Sequence, residues 1–179
     1  HLGDHGIWCK HTNYEQATRS VLMIADLRSN RMTGPLTYEH PVELVDIYRT
    51  LCDLAGLPTP EETEGTSLVS VLQGNTDSVK PYAVSQFHRM YDGRKIMGYA
   101  WRSDRYRYIE WIDRRFRVDD MSGPIIDIEL YDYQTDPLET RNLAEDPGYA
   151  DTLEAMQAMA DDYKQKYGLN TDIEKPSRD

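Results

Sequence analysis

The sequence predicts an α/β protein in two parts: a sheet-and-helix part over residues 1–78, then a small antiparallel sheet with a packed terminal helix over residues 79–179. Three observations predict it. The apolar run Ser20-Val21-Leu22-Met23-Ile24-Ala25 is cut off by Asp26, as in a strand covered on both faces of a sheet. Val42, Leu44, Val45, Ile47, Tyr48, Leu51, Cys52 and Leu54 then recur at helical spacing. Beyond Pro81 the period shortens towards the two-residue alternation of strands.

Each element follows from local chemistry. His1 to Glu15 is rich in Gly, His and polar residues with neither period, which predicts a loop held against other structure. The Ser20–Ala25 strand has no neighbour that this sequence identifies. Arg28 to His40 is a polar connection around Gly34-Pro35. Pro41 suits a first helical position, and Gly56 and Pro58 end that helix. The breadth of its apolar stripe implies packing onto a larger body. A short helix, Ser67 to Leu72, stops at Gly74, and the boundary between the parts falls near Gly74 to Lys80.

In the second part, Ala83–Phe87 is a first strand, while Ile96–Arg102 and Tyr106–Ile112 form a hairpin turning at Ser103-Asp104. Ile126, Ile128 and Leu130 alternate with Asp127, Glu129 and Tyr131, as in a strand with one wet face. Asp146-Pro147 supplies an N-cap and first-turn proline. The helix that follows carries Tyr149, Leu153, Met156, Ala160, Tyr163 and Tyr167 on one stripe and stops at Gly168. The tail from Asn170 to Asp179 is expected to fray.

Composition excludes some functions. A net charge of −11 speaks against nucleic-acid binding, which depends on clustered cations to displace counterions. No apolar run reaches the roughly 20 residues of a membrane helix. The charge is uneven: Lys80 to Arg117 holds ten Lys and Arg against four acids, and Asp127 to Asp162 holds eleven acids against Arg141. Either one segment faces a polyanion, or these are two solvated faces of a sheet and a helix. Cys9 and Cys52 define neither a metal framework nor a disulfide scaffold. None of the five asparagines heads an Asn-x-Ser/Thr acceptor, which favours a bacterial secretory route over a eukaryotic one. The chain opens at His1 without an initiator Met, so any targeting signal is expected upstream.

Particular stretches carry the functional reading. His1-Leu2-Gly3-Asp4-His5-Gly6-Ile7-Trp8-Cys9-Lys10-His11, followed by Tyr14-Glu15-Gln16-Ala17-Thr18-Arg19, resembles the segment after the metal-binding Asp-His-Gly of type I sulfatases. Val42 to Pro58 with Glu64-Gly65-Thr66-Ser67-Leu68 resembles the helix and turn leading into that family's C-terminal subdomain. Lys95 to Tyr99, Arg105 to Tyr108, Trp111, Glu129-Leu130-Tyr131-Asp132, Asp136-Pro137 and Asn142-Leu143 are similar to the iduronate-2-sulfatase branch. The matches run in the family's order from His1 to about Asp146.

The resemblance implies an alkaline-phosphatase-like α/β fold, of which this chain gives the last strand and helices of the main domain and the C-terminal subdomain. It implies hydrolysis of sulfate esters on a sulfated saccharide, with Lys10 as the cation on the sulfate. Such an ammonium stabilises charge moving onto the transferring group and leaving oxygen. His11 would line the pocket, and His88 and Arg89 would help select the sugar at its mouth; an arginine fork suits a carboxylate or sulfate. His5, between Gly3 and Gly6, is expected to shape the loop rather than bind metal.

The family's formylglycine arises from Cys-x-Pro/Ala-x-Arg, which neither cysteine matches. The nucleophile and the calcium ligands are therefore expected in an N-terminal catalytic part of the same protein. The resemblance implies a periplasmic or secreted protein in bacteria and a lysosomal one in animals. Two alternatives stand beside it: a phosphodiesterase or phosphonate-ester hydrolase of the same superfamily, and a non-catalytic module binding anionic glycan through Lys80 to Arg117.

Overall fold

A computed structural model describes residues 1–26, 37–113 and 123–168. In chain order the helices are α1 (Glu15–Thr18), α2 (Asp46–Ala55), α3 (Val69–Leu72) and α4 (Ala150–Lys166), and the strands are β1 (Ala83–Tyr91), β2 (Arg94–Arg102), β3 (Tyr106–Asp113) and β4 (Ile125–Asp132). The chain divides into two compact units, His1–Ser20 with Val84–Asp179, and Val21–Ala83. The Gly34-Pro35 connection, the three arginines at 114, 115 and 117, and the tail from Asn170 lie outside the described residues.

The first unit is built on a sheet in the order β1-β2-β3-β4. β2 and β3 pair antiparallel with Trp101 opposite Tyr108, and β3 and β4 pair antiparallel with Tyr108 opposite Leu130. The alternation of apolar and aromatic residues produces this arrangement, and Asp92-Gly93 and Ser103-Asp104 turn the chain between strands. Trp101, Tyr108 and Trp111 are core residues, as their alternation in a hairpin favours.

Both faces of the sheet are covered. One carries Trp101, Tyr108 and Glu110 against α4, where Tyr163 meets Trp101 edge-on at 5.9 Å. On the same side Lys164 Nζ donates to both oxygens of Glu110 at 3.0 Å. Asp146 caps the approach to α4 by accepting from the Gly148 amide at 2.9 Å, and Gly168 takes a left-handed φ of 66° just beyond its end. On the opposite face, Ile96, Ala100, Ile109, Trp111 and Tyr131 cluster with Tyr14 of the opening loop packed against them.

The second unit differs from expectation in three places. Helix α2 starts at Asp46 rather than Pro41, because the buried Asp46 carboxylate accepts from the amides of Glu43 at 2.8 Å and Thr66 at 2.7 Å and thereby fixes the turn before the helix. Lys80 Nζ closes this arrangement, 2.7 Å from Asp46 and 2.6 Å from Glu43. The inward side of α2 carries Asp46, Thr50 and Cys52, while Tyr48 and Leu51 of the apolar stripe remain 56% and 54% exposed. Finally, Ser20–Ala25 joins no strand ladder among the described residues. Val21 and Met23 are 86% and 88% exposed, since a strand becomes a strand only when a neighbour takes up its backbone groups.

Candidate functional site

The opening loop turns back on itself through left-handed residues. Gly3 and Gly6 sit at φ 112° and 67°, so that Leu2 and Trp8 form an antiparallel bridge. His5, also left-handed at φ 56°, lays its ring on Tyr14 with centroids 4.4 Å apart. His5 was expected to shape the loop by bonding backbone groups; its side chain makes ring contacts instead.

Asn13 anchors the loop to the sheet. Its side-chain amide donates to the Gly98 carbonyl at 2.9 Å, and its oxygen accepts from Ser85 Oγ at 3.2 Å. This approach requires glycine: a Cβ at residue 98 would lie 2.7 Å from the Trp111 ring and 2.8 Å from Asn13 Nδ2. Thr12 Oγ1 accepts from the Tyr14 amide at 3.2 Å and lies 2.9 Å from His1 Nε2.

One residue pair further along, charge takes over. Arg107, 1% exposed, donates to the Asn13 carbonyl and to Glu15 Oε2, the latter at 2.6 Å, while its Nε lies 2.7 Å from both the Tyr133 hydroxyl and Glu139. Glu139 also accepts from the Glu15 amide at 2.8 Å. Burial alone would raise the Glu15 carboxyl, but Arg102 and Arg107 outweigh it and hold it below its usual value. Glu15 also pairs with Arg19 at 3.9 Å, with Arg19 exposed. That pair is secondary to the Arg107 and Arg102 contacts.

Two of the four sequence-predicted site residues, His11 and His88, meet across Phe87 near the end of β1. His11 stacks on Phe87 at 5.7 Å and 6°, and Phe87 stacks on His88 at 5.2 Å. Arg89, the next residue, places its guanidinium 5.2 Å from the Trp111 ring centroid and 6.0 Å from that of Tyr14. Lys10 is exposed on the same loop, immediately before His11. Tyr14, Phe87, Trp111 and Glu129 were not among the predicted site residues. The only signal for Tyr14 was its place in the Tyr14-Glu15 stretch, and for Glu129 its place in Glu129-Leu130-Tyr131-Asp132.

Among the described residues of the basic run from Lys80, the charges are mostly taken up within the fold, as in the reading of a solvated sheet face. Lys80, Arg94, Arg102, Arg105 and Arg107 each pair with a carboxylate. Among the described residues no group of three or more His, Cys, Asp or Glu comes together to hold a metal ion, so these residues do not fit a calcium site. Both cysteines are free, Cys9 exposed and Cys52 buried. No described helix is long and apolar enough to cross a membrane.

Comparison with known proteins agrees with this architecture. Residues 3–166 match the family described as N-sulphoglucosamine sulphohydrolase, C-terminal. The chain is 31% identical over 164 residues to a Delta 4,5-hexuronate-2-O-sulfatase of Bacteroides thetaiotaomicron, covering 90% of this chain and 32% of the relative. It is 28% identical to iduronate 2-sulfatase of Mus musculus, covering 87% of this chain and 38% of that protein. Among solved structures it resembles a 2-O GAG sulfatase with a TM-score of 0.54 and 35% identity, covering 72% of this chain and 27% of the other. The chain therefore spans about a third of the length of the curated relatives it matches.

Proposed function

Because the chain belongs to the N-sulphoglucosamine sulphohydrolase C-terminal family of sulfatases, we propose that it is the C-terminal part of an enzyme hydrolysing sulfate esters of a sulfated saccharide. The names of its relatives favour a 2-O-sulfated uronate within a glycan. In this reading residues 1–78 end the catalytic domain and residues 79–179 form the C-terminal subdomain. The N-terminal part supplies the formylglycine nucleophile and the calcium. It also covers the apolar side of α2 and pairs the Val21–Ala25 segment, which explains why those side chains are bare in this chain.

The observation that carries the proposal is the fixing of the Lys10–His11 loop to the sheet at Asn13 and Glu15, beside His88 and Arg89. An active-site cation works by pre-orientation, and a loop tied to the sheet immediately after its motif supports it. Lys10 binds the sulfate; His11, His88 and Arg89 contact the sugar. The protein acts in the periplasm or outside the cell.

The test is sulfate release by the full-length protein from a 2-O-sulfated hexuronate disaccharide, compared with the Lys10→Ala variant and with a phosphonate ester. Loss of at least about a hundredfold in turnover with an unchanged unfolding curve is expected for the variant, the scale of removing one charge-stabilising group. Near-normal turnover, or preference for the phosphonate, refutes the assignment.

A further inference from the structure

The two rings that Arg89 lies over share a carboxylate to which none of the expected site roles refers. Glu129 accepts from Trp111 Nε1 at 2.7 Å, from the Tyr131 hydroxyl at 2.7 Å and from the Tyr14 hydroxyl at 3.3 Å. Two of these three donors belong to the rings that face the Arg89 guanidinium. No ion pair to Arg89 is formed among the described residues, so the arginine lies over the two rings while the anion is held at their polar edges.

This arrangement has a physical consequence. A carboxylate accepting from an indole N–H and a phenol O–H draws positive charge to the ring edges and enriches the faces, which strengthens their attraction for a cation. It also prevents the rings from turning. A direct Glu–Arg salt bridge would have occupied the fork; the indirect arrangement orients Arg89 and leaves its donors for an anion. Burial, followed by the charge of Glu129, raises the Tyr14 phenol above its usual value, which keeps it a donor in this network.

We propose that Glu129 is a positioning residue for substrate recognition, acting on the anionic saccharide through the Trp111–Tyr14 platform and Arg89. The inference rests on the sulfatase reading above and deepens it, since it assigns the orientation of Arg89 to a residue that never touches substrate.

The test is a double-mutant cycle in the full-length protein, with sulfate release from the 2-O-sulfated hexuronate disaccharide as readout. Glu129→Gln keeps the shape but removes the charge and turns an acceptor into a donor. It is expected to raise KM about tenfold while kcat falls less than about threefold, and the Glu129→Gln/Arg89→Ala double variant is expected to match Arg89→Ala alone. An unchanged KM, or effects that multiply in the double variant, overturns the proposal, because a purely structural role lowers thermal stability without coupling to Arg89. Should Glu129→Gln fail to fold, Tyr14→Phe removes only a hydroxyl; a KM increase of about threefold that vanishes in the Arg89→Ala background supports the proposal, and an unchanged KM overturns it. Wild-type protein that releases no sulfate overturns the sulfatase reading and this inference together, a result distinct from an active enzyme whose KM ignores Glu129.

Discussion

Arg107 Nε and the Glu139 carboxylate lie 2.7 Å apart with both side chains almost sealed from solvent, and Glu15 of the opening loop completes the group from the other side. Removing the cation leaves one buried anion and one half-buried anion uncompensated. Arg107→Met is therefore expected to destabilise the protein by about 3–5 kcal/mol, read from the urea midpoint at unchanged slope.

Gly98→Ala tests the contact between loop and sheet. The added methyl must displace either the Trp111 ring or the Asn13 amide, both within 3 Å of its position. A loss of about 1–3 kcal/mol is expected, with a fall in sulfate release beyond what stability explains. Thermal unfolding and activity of the full-length variant would separate the two effects.

Acid weakens the structure through Glu15 and Asp132. Arginines hold both carboxyls below their ordinary values, for Asp132 chiefly through its Arg105 hydrogen bonds at 2.9 and 2.7 Å. The unfolded chain then binds more protons than the folded one over the interval between the two values. Their stabilisation is complete above the ordinary values of 4.5 and 3.8 and is lost as pH falls through the lower folded ones. Glu15→Gln should flatten the acid limb of stability against pH; an unaltered slope there contradicts this.

Glu110 behaves in the opposite sense. Burial raises its carboxyl, and Lys164 only partly offsets this. Lys164→Met leaves that carboxylate buried without its cation and should cost about 3–5 kcal/mol. Glu110→Gln/Lys164→Met should recover most of it, because the desolvation of both charges disappears with them. Chemical unfolding of the single and double variants decides the matter.

Legibility of the sequence followed the range of the interactions. The hairpin at Ser103-Asp104, the β4 alternation and the Asp146-Pro147 start were readable because a strand period or a cap is written within a few neighbouring residues. Pro41 misled, since the helix start is set by Asp46 reaching the Thr66 amide 20 residues away. The stripe on α2 was read correctly as apolar, although within this chain only Cys52 of it is buried, beside Asp46 and Thr50. Of the residues expected from motif order, His11 and His88 lie against Phe87, while Arg89 lies over Tyr14 and Trp111. Glu129 escaped because its role lies in what it holds. No local pattern records that Tyr14 and Glu129 meet across 115 residues.

The tie between Glu15 and Glu139 also sets an order on synthesis. These partners are separated by 124 residues, and a ribosome working at about 5–20 residues per second needs roughly 6–25 s to add them. Throughout that interval the opening loop has left the exit tunnel without the sheet that will hold it, its charged and aromatic groups free to find other contacts. The loop bearing Lys10 is thus among the first parts of this chain to be made and among the last to be secured, so conditions that hasten translation or withhold chaperones should impair this loop before they impair the hairpin.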